Sequence, residues 1–132
     1  MADNNGEEVD LRFHSERRFR EFVAEAIDGL PPEWGDLLDN VAVVVEQEPT
    51  ADDLEAVGLS PEEGDELLGL YHGVPLDKRG VGYVELPDRV VIYRGPILRI
   101  CTSRHDVVQQ VRETVLHELG HHFGLGDDDL PF

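Results

Sequence analysis

Cysteine occurs once in this chain, at Cys101, and methionine once, at Met1. A lone cysteine excludes an intrachain disulfide, so the fold must be held by packing, and the composition suits a reducing compartment such as the cytoplasm. Basic side chains are also scarce: 11 Lys and Arg face 29 Asp and Glu, for a formal charge of −18. So acidic a surface repels phosphate backbones, which argues against nucleic acid as a partner. A cationic peptide or protein segment would be drawn in instead, although the same charge serves solubility. No apolar run approaches the roughly 20 residues of a spanning helix. Residues 1 to 10 carry neither the basic nor the apolar region of a secretory signal. No membrane association is expected, and 132 residues suit one domain with a modest core, read here as a monomer.

What the chain does have is His117-Glu-Leu-Gly-His-His-Phe-Gly-Leu-Gly-Asp127. In a helix, positions i and i+4 lie on one face about a turn apart, so His117 and His121 can point at one cation. Two neutral imidazole nitrogens are half of a tetrahedral zinc shell. Glu118 sits about 100° round the helix from His117, where a carboxylate flanks the metal and can take a proton from water. Gly124 can end the helix and redirect the chain, and Asp127 follows. The motif then reads His-Glu-x-x-His-x-x-Gly-x-x-Asp, with His117, His121 and Asp127 as ligands of one zinc ion. Three protein ligands with one open position describe a catalytic site. Asp127, Asp128 and Asp129 stand where a helix dipole disfavours anions, by about 0.3–1 kcal/mol each. A bound cation explains that placement, and it leaves open which of the three acids completes the shell.

Three stretches carry a family resemblance: Gly69-Leu-Tyr-His-Gly-Val-Pro-Leu76, Val90-Val-Ile-Tyr-Arg-Gly-Pro-Ile97, and Thr114 to Leu130. Together they resemble the small, mostly bacterial zincin-like metallopeptidases, or minimal zincins. The extended motif is also similar to that of metzincins, with two departures: aspartate replaces their last histidine, and no methionine is present to form a Met-turn. The resemblance implies an α+β fold of minimal zincin type, a small mixed sheet packed with an N-terminal helix and a C-terminal active-site helix. It also implies peptidase chemistry, without supplying a substrate. The expected activity is zinc-dependent peptide-bond hydrolysis with Glu118 as general base. Two other readings use the same motif, a metal-stabilised binding module without turnover and a zinc amidase acting on a small molecule.

Along the chain, residues 1 to 12 read as a flexible acidic tail. Ser15 is placed to cap a helix bearing Phe19, Phe22, Val23, Ala26, Ile27 and Leu30 at helical spacing, ended by Gly29 and Pro31-Pro32. His14, before it, reads as a surface residue. Trp34 reads as a core plug, and Val41 to Val45 as a central strand. Thr50 and Ser60 are caps for two short helices or turns. Residues 69 to 80 read as a long loop able to rim an active site, with His72 as a loop residue rather than a ligand. Val81 to Leu86 and Arg89 to Arg94 read as a hairpin joined at Pro87-Asp88, and the resemblance makes its edge the candidate site for an added substrate strand. The hydroxyls of Tyr83 and Tyr93 are weighed as oxyanion donors against outward positions bonded to water. Gly95-Pro96 reads as a turn and Cys101 as a core residue. From about Asp106 to His122 a helix follows. Its apolar side carries Val108, Val111, Val115 and Leu119 with His122 alongside, and its polar side carries Gln110, Glu113, Thr114, His117 and His121.

Overall fold

The computed structural model describes residues 15–73 and 88–122. Helix α1 (Glu16–Asp28) starts where the Ser15 side chain accepts the Arg18 N–H, and it buries Phe19, Phe22, Val23 and Ala26 along one stripe. Gly29 closes it, donating its N–H to Ala26. The short α2 (Pro32–Leu37) places proline in its first turn and buries Trp34, as the sequence suggested. After a 3-10 turn, Leu38–Asn40, comes β1 (Val41–Glu46).

Both caps expected at Thr50 and Ser60 form. Thr50 exchanges bonds with Asp53 at 3.0 and 3.1 Å to open α3 (Ala51–Ala56), and Ser60 pairs with Glu63 ahead of a 3-10 helix, Pro61–Glu66. Then come β2 (Gly69–His72), β3 (Asp88–Tyr93), α4 (Arg94–Ile100) and the 19-residue α5 (Arg104–His122).

The described strands form one sheet in the order β1-β3-β2, with β1 parallel and β2 antiparallel to β3. Helices α1 and α5 pack together on one face. There Val90 and Ile92 of β3 meet Val107, Val111, Val115, Leu116 and Leu119 of α5 and the stripe of α1. Each such side chain, fully withdrawn from water, contributes on the order of 1.5–3 kcal/mol. The opposite face holds a smaller cluster of Leu54, Leu67, Val91 and Tyr93. This mixed sheet with segregated helices is the α+β architecture expected.

Four readings from sequence are corrected. Residues 69 to 72 are a strand and not part of a loop. The central strand is β3, buried on both faces, while β1 lies at an edge of the described sheet. A run of β-branched residues signals cover on both faces but does not say which strand is flanked on both sides. Both edges of β3 are filled by β1 and β2, so β3 is not one arm of the expected hairpin. Residues 81 to 86 lie outside the described residues, as do the N-terminal tail and His14. Gly95-Pro96 does not turn the chain but falls in the first turn of α4, where proline's missing N–H costs no bond.

Candidate metal centre

Helix α5 is started by local bonds: the Asp106 N–H donates to Ser103 Oγ at 3.1 Å, and the Asp106 carboxylate accepts from the N–H and hydroxyl of Thr102. From that start the helical repeat carries its apolar residues into the core and leaves His117 and His121 exposed on the other side. Glu118 lies between them, half-buried. One ligand atom from each of His117, Glu118 and His121 lies within 4.8 Å of the others. The two imidazoles have centroids 4.1 Å apart and are tilted by 58°. Two imidazoles and a flanking carboxylate, converging in reach of solvent, are a donor set that suits zinc.

Glu118 is fixed from an unexpected direction. Its Oε1 accepts the backbone N–H of Tyr71 at 3.1 Å, binding the helix to the outer edge of β2. Burial pushes the Glu118 carboxyl above the usual carboxylate range, against the opposing pull of the Tyr71 bond and of His117 and His121. Tyr71 is itself held at its other end, its hydroxyl donating to Asp88 Oδ2 at 2.8 Å. Its ring stacks on His122 at 3.8 Å and 14°. His122, read as a structural residue beside the core, has that role at a side chain 38% exposed, with its Nε2 4.0 Å from Asp88.

Gly69 sets how closely β2 approaches α5. A Cβ there would stand 2.5 Å from Thr114 Cγ2 and 3.0 Å from the Val91 carbonyl oxygen. Thr114, expected on the open polar side, is therefore buried, and its hydroxyl donates back to the Gln110 carbonyl at 2.8 Å. Beside this contact a cleft of about 340 Å³ runs along the polar side of α5, reaching His117 and Glu118.

Of the residues singled out from sequence, His117, Glu118 and His121 are brought together. Asp127, with Gly124, Asp128 and Asp129, lies outside the described residues, and so does Tyr83. Tyr93 is not an oxyanion donor and not an outward strand residue. It is fully buried on the sheet face away from α5, its hydroxyl donating to Asp53 Oδ2 at 2.8 Å. His72 shares that face with Leu70 by strand alternation, its Nε2 3.8 Å from Asp53, so it does not join the cluster. The bond from Tyr71 to Glu118 had no sequence signal, because a backbone N–H is common to almost every residue.

Comparison with known proteins decides the family. Residues 38–131 match the zincin-like metallopeptidase family. This chain belongs to that family. A solved structure, a conserved hypothetical protein from Thermo thermophilus, is similar to this zincin-like protein at 30% sequence identity. The match covers 83% of this chain and 94% of that one, with a TM-score of 0.56. No curated protein matches. Membership in the zincin-like family implies zinc binding and a metallopeptidase-type, hydrolytic function. Among the described residues no helix is long and apolar enough to cross a membrane.

Proposed function

We propose that this protein hydrolyses peptide bonds, with one zinc ion held by His117, His121 and Asp127 and with Glu118 as general base. The observation that carries the reading is the convergence of His117, Glu118 and His121 beside an open cleft. When bound, zinc supplies Lewis acidity, polarising the scissile carbonyl and making water a stronger acid. The chain's own residues do the rest. Glu118, set between the two imidazoles, takes a proton from the attacking water. The same carboxyl then delivers that proton to the leaving amine. The Tyr71 N–H holds Oε1 and so fixes the carboxylate beside the cleft, and Glu118 needs little reorganisation to act. Asp127 is assigned as third ligand from its spacing after His121.

A peptide has a place to lie. Among the described residues β2 is an edge strand next to Glu118, and the outward backbone groups it has besides the Tyr71 N–H, which Glu118 takes, can pair with an extended chain. This edge takes the role expected of the 81–94 hairpin.

The test is zinc content together with cleavage of a mixed peptide library. The parent is expected to carry one zinc and to cut peptides, to lose both on chelation, and to recover both when zinc is restored. His117→Ala and Asp127→Ala should each weaken zinc binding. A zinc-loaded parent that cuts no peptide would remove the peptidase reading and leave a binding module or an amidase.

A further inference from the structure

The cleft beside His117 and Glu118 has a chemical character of its own. Its wall on α5 is Gln110, Glu113 and Thr114, and its opposite wall is the segment from Glu66 to Gly69. Leu68 is half-buried and packs toward the α5 side of the sheet, and with the Thr114 γ-methyl it makes the floor apolar. The rim carries two carboxylates, Glu66 from the end of the 3-10 helix and Glu113 from α5. Glu113 Oε2 accepts a bond of 3.0 Å from the Gln109 amide, and among the described residues no cationic side chain pairs with Glu66 or Glu113. At about 340 Å³ the cleft lies near the lower end of the roughly 300–1,000 Å³ of ligand pockets. That is room for one long side chain.

We propose that this cleft is a specificity subsite for a lysine or arginine side chain next to the bond to be cut. The inference rests on the peptidase reading for its place in a reaction, but not for the binding itself. An aliphatic stem lies along Leu68 and the Thr114 methyl while the cationic head reaches Glu66 and Glu113, which matches how such side chains divide between apolar surface and water. Bare acidity would not choose a position on the peptide. The cleft does, because His117 and Glu118 are part of its lining. The overall charge of −18 adds attraction for a basic segment before docking.

Each partly exposed carboxylate is worth about two- to fivefold in affinity for a cation, so the pair should give about tenfold. Two measurements separate the subsite from the chemistry. In the first, Nα-acetyl-lysine amide and Nα-acetyl-norleucine amide are titrated into isotope-labelled protein and followed by NMR at moderate salt. The lysine probe should shift the amides of Gly69 and Glu113 at about tenfold lower concentration. That advantage should fall in Glu66→Gln and Glu113→Gln and persist in Glu33→Gln, a change of exposed charge on α2. In the second, peptides differing only in Lys, Arg, norleucine or Glu beside the scissile bond are compared by kcat/KM. The parent should prefer Lys and Arg, and Glu113→Lys should move preference toward Glu. Selective lysine binding without any cleavage keeps the subsite and overturns the peptidase reading. Cleavage without basic preference, or a preference unmoved by both glutamine variants, overturns the subsite. No difference between the probes together with no cleavage overturns both.

Discussion

Replacing Tyr93 by phenylalanine keeps a fully buried ring in place and removes one atom, the hydroxyl that donates to Asp53 Oδ2 at 2.8 Å. That bond ties α3 to β3 on the sheet face away from the cleft. Burial, first, and the Asp53 carboxylate, second, push the Tyr93 hydroxyl far above the ordinary phenol range, so it remains a donor at every working pH. For Asp53, partial burial acts to raise the carboxyl, and the bonds from Tyr93 and Thr50, with His72 nearby, outweigh it and hold it below the usual range. A hydrogen bond to an ionised group contributes about 1.5–3 kcal/mol, against about 0.5–1.5 kcal/mol for a neutral pair. Because the folded-state value is lowered, the charged contribution is fully present above the unfolded value of about 3.9 and is lost as pH falls through the folded value. Tyr93→Phe should therefore cost about 1.5–3 kcal/mol at pH 7 and at most about half of that once Asp53 is protonated. Urea unfolding of parent and variant across this pH range measures the difference, with an unchanged m value showing that the unfolding reaction is the same. A penalty near zero at neutral pH, or one independent of pH, would refute the reasoning.

Gly69→Ala should destabilise the protein by about 1–3 kcal/mol through the collision with Thr114 and the Val91 carbonyl. Thr114→Ser, which removes the colliding methyl, should recover part of that loss in urea melts; an alanine tolerated without cost would contradict the close approach of β2 to α5. Cys101 is half-buried, and burial, with Asp106 nearby, pushes its thiol up to about 11. Set against a free thiol near 8.5–9, this leaves about a hundredfold less thiolate at neutral pH. Iodoacetamide at pH 7.5 should thus modify the folded protein far more slowly than the urea-unfolded one, and equal rates would show the thiol to be open. Arg99 bridges Glu48 and Asp65 at 2.7 and 2.6 Å, but its side chain is 45% exposed. Arg99→Ala should cost no more than about 1 kcal/mol in the same melts.

The parts of the site readable from sequence were those set by one helix. His117 and His121 are brought to one side by helical pitch alone, and the valines of α5 announce the opposite side by the same repeat. Helix starts at Ser15, Thr50 and Ser60 were equally legible, because a cap acts within three residues. Contacts between distant segments were not. The place of β3 between β1 and β2 depends on a crossover and on which faces are covered, neither of which leaves a mark on a six-residue run. The strand Gly69–His72 is too short and too close to turn-forming residues to signal itself. Its glycine, which looks like a turn residue, is there because Thr114 and Val91 leave no room for a side chain. Tyr93 gave only its aromatic, strand-forming character, while its partner Asp53 lies 40 residues away.

The most direct test of the central claim compares Glu118→Gln with the parent, both loaded with zinc, on the same peptide. Glutamine keeps the shape of the carboxylate and can still accept the Tyr71 N–H, but it cannot take a proton from water. The expected result is one zinc in each protein, with hydrolysis in the parent alone and a loss of at least about a hundredfold in kcat for the variant. Hydrolysis at the parental rate by Glu118→Gln would contradict the account, as would a parent with no affinity for zinc.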